Sequence, residues 1–84
     1  MKEVSIRKSY CIVDEDRSWT FLKPLSGEYS NKIMVIIEDA YAATDLRIVS
    51  SKDLAINYNL SFYQIDEILN ALDYSQKEKE IIFA

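Results

Sequence analysis

The chain has 84 residues, 49% of them hydrophobic and 29% charged, with 14 acidic against 10 basic side chains and a net charge of −4. That length holds one domain of modest core, about 60% of the unfolded surface being buried at this size, and the composition argues against disorder. The acidic balance argues against a protein that adheres to nucleic acid by bulk charge, which calls for a basic face.

A single cysteine, Cys11, leaves no internal disulfide. It lies in the apolar run "SYCIV" and is expected to be a buried small hydrophobe. Residues 1–13 contain no apolar signal-peptide core, and no apolar run approaches the ~20 residues of a membrane span. The expectation is a soluble, cytoplasmic protein with no membrane association.

In chain order, "EVSIRKSYCIV" alternates loosely and reads as a strand. "DEDRS" is a polar turn and "WTFL" a second strand, so residues 3–22 predict a β-hairpin. Its aromatics, Tyr10, Trp19 and Phe21, are expected in the core. "KPLSGEYS", with the only glycine and the only proline of the chain, connects to "NKIMVIIEDAYAATDL". The run Ile33–Ile37 fits a buried strand or a helix. The alanines at 40, 42 and 43, and the helical spacing of Ile33, Ile37, Ala40, Tyr41 and Thr44, predict a helix.

Two helix starts follow. Ser61 and Gln64 are spaced as a capping box, and Leu60 and Ile65 as a hydrophobic staple across it. Ile65, Ile68, Leu69 and Leu72 then supply the i, i+3, i+4, i+7 stripe of an amphipathic helix. Upstream, Ser50 and Asp53 repeat the cap spacing, and Val49 and Leu54 the staple. A helix of about two turns should therefore run from Ser51 to Asn59, a residue that tolerates the left-handed conformation of a helix end. A strand over 54–60 is the competing reading, since Leu54, Ile56, Tyr58 and Leu60 alternate. "DYSQKEKEIIFA" reads as a polar turn and a short strand, Ile81–Phe83, or as an extension of the preceding helix.

With the elements in this order, residues 33–83 resemble the winged-helix branch of the helix-turn-helix superfamily. "KIMVIIEDAYAAT" would be its first helix, "RIVS" a short strand, "SKDLAINY", "NLS" and "FYQIDEILNAL" the motif itself, and "DYSQKEKEIIF" the wing. Ala55 falls where the family packs a small side chain between the two helices; Asn59 stands where glycine is commonest. The resemblance implies an α+β fold, a winged helix-turn-helix with a three-helix core and short strands, preceded by a β-hairpin. Residues 1–84 would form a single domain, with the hairpin and connector at 1–28 and the winged-helix part at 29–84.

For function, the resemblance implies a small DNA-binding transcriptional regulator that would act as a homodimer. The second motif helix would enter the major groove and the wing would meet phosphates. Tyr63 and Asn70 would approach bases, and Lys52, Lys77 and Lys79 phosphates. The residues themselves resist this, because the outer face of that helix shows Phe62, Tyr63, Asp66 and Glu67 and no cation, whereas phosphate contacts need cations. The alternative is an acidic protein–protein interaction module, an adaptor or inhibitor of a basic partner, with Phe62, Tyr63, Asp66 and Glu67 as contact face. A third reading, tied to the strand over 54–60, is an α+β inhibitor acting through acidic surface alone. Asp14–Asp16 reads as solvated turn acids rather than a metal site. With no histidine, phosphate loop or activated nucleophile, neither enzyme chemistry, cofactor nor small-molecule substrate is expected.

Overall fold

Alternating β-branched and aromatic residues in the first half of the chain build a sheet, and capped amphipathic segments in the second half build a helical layer on it. The computed structural model of the protein describes residues 8–41 and 43–84. Strands β1 (Ser9–Asp14), β2 (Arg17–Leu22), β3 (Ile33–Asp39) and β4 (Thr44–Val49) pair antiparallel in sequence order. A single 3-10 turn, Gly27–Tyr29, interrupts the link from β2 to β3. Helices α1 (Ser51–Asn57), α2 (Phe62–Ala71) and α3 (Gln76–Phe83) follow.

Register sorts the side chains into two faces, because successive residues of a strand point to opposite sides. Phe21 lies opposite Val35, and Ile33 opposite Val49. All four are buried, and with Leu54, Ile65, Ile68, Leu69, Leu72, Tyr74 and Ile82 they form the core between sheet and helices. Tyr10, Ile12, Trp19 and Ile37 continue this inner face as half-buried residues packed against the core. The other face, which the helices do not cover, is described with the site below.

Each helix starts at a serine that closes a reciprocal capping box: Ser50 with Asp53, Ser61 with Gln64, and Ser75 with Glu78. Asn59 and Asp73, at φ 54° and 60°, supply the left-handed residues that end α1 and α2. After α2 the Tyr74 N–H returns to the Leu69 carbonyl at 3.0 Å and the Asp73 N–H to Asn70 at 3.1 Å. This pair of bonds satisfies the last carbonyls and turns the chain sharply into α3. Two long-range bonds tie the helices down: Ser51 Oγ donates to the Ile82 carbonyl at 2.9 Å, and Tyr74 Oη to the Lys32 carbonyl at 3.3 Å.

The winged-helix fold is overturned. Its core requires a first helix over residues 33–44, and those residues are β3, a turn and the start of β4, hydrogen-bonded on both sides of β3. Ile33, Val35, Ile36 and Ile37 are β-branched and suit a pleated surface. Asp39 then closes the turn, its carboxylate accepting the Tyr41 and Ala43 N–H groups at 2.9 and 3.1 Å. Ala55, expected between two helices, is exposed. The expected wing is α3, a third helix. The two-helix reading of 51–71 holds, as does the hairpin within the described residues; its expected start at residue 3 lies outside them. Cys11 is exposed rather than buried.

Two outcomes test these local devices. Ser75→Ala removes one capping box and should lower stability by about 1 kcal/mol in urea denaturation. The second concerns pH. The Ser50 N–H and hydroxyl hold the Asp53 carboxyl below its ordinary 3.8. Lys23, followed by the Ser75 N–H, holds Glu78 below 4.5. A carboxyl whose pKa is lower in the folded than in the unfolded chain contributes stability above its ordinary pKa and loses it as pH falls through the lowered one. The urea midpoint should therefore drop on acidification below those ordinary values, and drop less in an Asp53→Asn, Glu78→Gln double variant.

Candidate functional site

Helix α2 buries Ile65, Ile68 and Leu69 against the sheet, and the 3.6-residue period turns the remaining positions outward. Phe62 and Tyr63, in its first turn, are 59% and 83% exposed. They are held rather than loose. The Phe62 ring lies 4.7 Å from that of Phe83 on α3, and the Tyr63 ring meets Phe62 edge-on at 5.8 Å. The Ser61 cap anchors the same turn through 2.8 and 3.2 Å bonds with Gln64. Glu67 is exposed one turn along, in line with Tyr63. Asp66 is turned toward α3, where it pairs with Lys79 at 3.1 Å and accepts from Asn70 Nδ2 at 3.3 Å.

These contacts separate the expected nucleic-acid residues. The Lys79 side chain is only 14% exposed and committed to Asp66. Lys52 follows Ser51, which is bonded to the C-terminal end of α3, whereas Lys77 stands in the first turn of that helix. Tyr63 and Asn70 share a face of α2, but Asn70 spends a donor on Asp66. Phe62, Tyr63 and Glu67 do form one surface. Asp66 is its inner margin.

Two further features were not legible as site residues. The first is a cleft of about 530 Å³ where the inner sheet face outruns the helices, floored by Trp19, Ile37 and Leu60 and rimmed by Arg17 and Arg47. Arg47, Asp45 and Asp39 are engaged in contacts of the fold. Arg47 Nε is paired with Asp45 at 2.8 Å, which with the nearby Tyr58 hydroxyl raises its pKa above its ordinary value. Asp39, also on the rim, is the turn-closing carboxylate. Tyr58 Oη approaches Arg47 closely enough to act on it electrostatically, but it is buried and makes no hydrogen bond of good geometry.

The second is the outer face of the sheet. Pairing aligns its side chains in three rows across the four strands. Leu22, Met34 and Ile48 share the first row with Ser9; the second is Cys11, Thr20, Ile36 and Leu46; the third is Val13, Ser18, Glu38 and Thr44. Leu46 is 58% and Val13 76% exposed, and among the described residues of these rows Glu38 is the one that carries a charge. The signal for it was the uninterrupted run Ile33–Ile37, since a strand apolar on both faces shows no alternation.

Compared with protein-family models, curated proteins and solved structures, the chain matches none. Among the described residues, no helix is long and apolar enough to cross a membrane. Replacing Tyr58 by Phe removes a buried hydroxyl that approaches Arg47 without a hydrogen bond of good geometry, so Tyr58→Phe should leave the urea midpoint nearly unchanged.

Proposed function

We propose that the protein is an acidic protein–protein interaction module that presents the outward side of α2 to a basic partner. The observation that supports this is the exposed, pre-set aromatic step of Phe62 and Tyr63. Aromatic anchors dominate binding hot spots, because they bring large contact area at small cost in side-chain entropy. Packing of Phe62 on Phe83 means that part of that cost is already met in the free protein. Glu67 flanks the step, and α2 carries no lysine or arginine. A cationic surface would meet one free carboxylate there, with a second at Asp66 if the partner displaces Lys79.

The geometry favours this reading over one in which α2 reads duplex DNA. Glu67 would then face phosphates, while the compensating lysines are dispersed or already paired. The two are told apart by substitution. Phe62→Ala and Tyr63→Ala should each weaken a cognate protein complex by at least tenfold, a loss of about 1.4 kcal/mol, and Glu67→Lys should weaken it in a salt-dependent way. Capture with immobilised wild-type and variant protein, quantified by mass spectrometry, reads the difference. The result against the proposal is anisotropy with random duplex DNA that shows tight, steeply salt-dependent binding, strengthened by Glu67→Lys and lost in Lys52→Glu or Lys77→Glu.

A further inference from the structure

An antiparallel sheet that turns one face to water ordinarily writes that face in polar residues. This one does not. Its central strand β3 is apolar at five successive positions, Ile33 to Ile37, as in strands covered on both sides. Ile33, Val35 and Ile37 are covered by the helical layer or packed against its core. Met34 and Ile36 face the other way, remain partly exposed and sit within the first two outer rows, with Glu38 at the same strand's place in the third. From these observations we infer that the outer face of the sheet is the interface of a homodimer, a second copy of this chain stacking its own outer face on the first.

Three features select a second copy as the occupant. An isologous contact sets each residue of the patch against the same patch, so any charge in it is met by its own kind. The outer face satisfies that constraint. Its first two rows contain no charged residue, and Glu38 stands in the third. The second feature is shape. Sheets stack face to face about 10 Å apart with strands within about 30°, and the side chains of the two faces interdigitate. Leu22, Met34, Ile36, Leu46 and Ile48 are of the size and kind that fill such a layer. The third is extent. Four strands of six or seven residues span on the order of 20 by 20 Å in plan, and side-chain relief adds to that. Two copies would therefore bury an area near the lower end of the ~1,200–2,000 Å² typical of stable interfaces.

The result is a helix–sheet–sheet–helix sandwich. It leaves the α2 faces on opposite outer sides, so the inference stands apart from the function proposed above and would give that function two contact faces per particle. Cys11, in the second row on edge strand β1, becomes partly shielded.

Sedimentation equilibrium of the full chain over nanomolar to high micromolar concentration tests the inference. The expected particle is twice the 9.8 kDa chain. Ile36→Lys and Leu46→Lys should raise the dissociation constant by at least ~100-fold, because each places two like charges in the interface, while leaving the far-UV circular dichroism unchanged. A readout on the unaltered protein is the rate at which Cys11 reacts with a thiol reagent, which should fall as concentration rises through the dissociation constant. A wild-type protein that stays monomeric throughout, with Cys11 reactivity independent of concentration, overturns the inference. So does a dimer that survives both lysine substitutions, or one lost in Phe62→Ala and Tyr63→Ala instead.

Discussion

The structure depends on the pairing of β3 with two neighbours. Ile33–Asp39 is hydrogen-bonded to β2 on one side and β4 on the other, and that pairing fixes which residues look inward. Ile33 and Val35 are fully buried, with Phe21 and Val49 beside them across the ladder. A slip of β3 by one residue would exchange them for Met34 and Ile36 and turn its whole inward set to the outer face. The floor on which the helices pack, the cleft at its open end and the apolar outer face all follow from this one register.

The helical layer is a chain of short, separately capped pieces. None of the three helices exceeds ten residues, which is too short to hold in water by propensity alone. Their caps set where each begins, and burial of Leu54, Ile65, Ile68, Leu69 and Ile82 supplies the stabilisation. The ends are joined where it matters for the surface: Ser51 to Ile82, Asp66 to Lys79 and Phe62 to Phe83. Lys23 reaches from the end of the hairpin to Glu78 and over the Tyr74 ring at 4.8 Å, so the sheet also holds the turn into α3. This bracing makes the first turn of α2 a rigid platform for two exposed aromatics.

One side of the molecule thus carries a braced aromatic step next to carboxylate, and the opposite side a largely apolar sheet with Glu38 in its third row. They answer to different physics. The first suits a few strong contacts with electrostatic selection of the partner. The second suits broad, dry, self-complementary packing. Burial between two copies, as inferred above, would also protect the chain from non-specific association.

By itself the sequence determined the local devices. The spacings Ser50–Asp53 and Ser61–Gln64 marked two helix starts, the stripe Ile65–Ile68–Leu69–Leu72 marked the buried side of α2, and Asn59 marked a left-handed helix end. These are contacts among residues three to five apart, and their energies do not wait for the rest of the chain. The exposed face of Phe62, Tyr63 and Glu67 followed from the same period. Ser75–Glu78 carries the same cap signature, but the apolar residues after it are confined to Ile81–Phe83 and imitate a strand. Only the tertiary structure decided between helix and strand for Ile33–Ile37. A five-residue apolar run satisfies both periods, and nearby alanines and a tyrosine at helical spacing favoured the helix. The ladders to β2 and β4 provide hydrogen bonds on both sides that no local signal could announce. The commitment of Lys79 to Asp66, the exposure of Ala55 and Cys11, and the apolar outer face arise likewise from residues brought together across the fold.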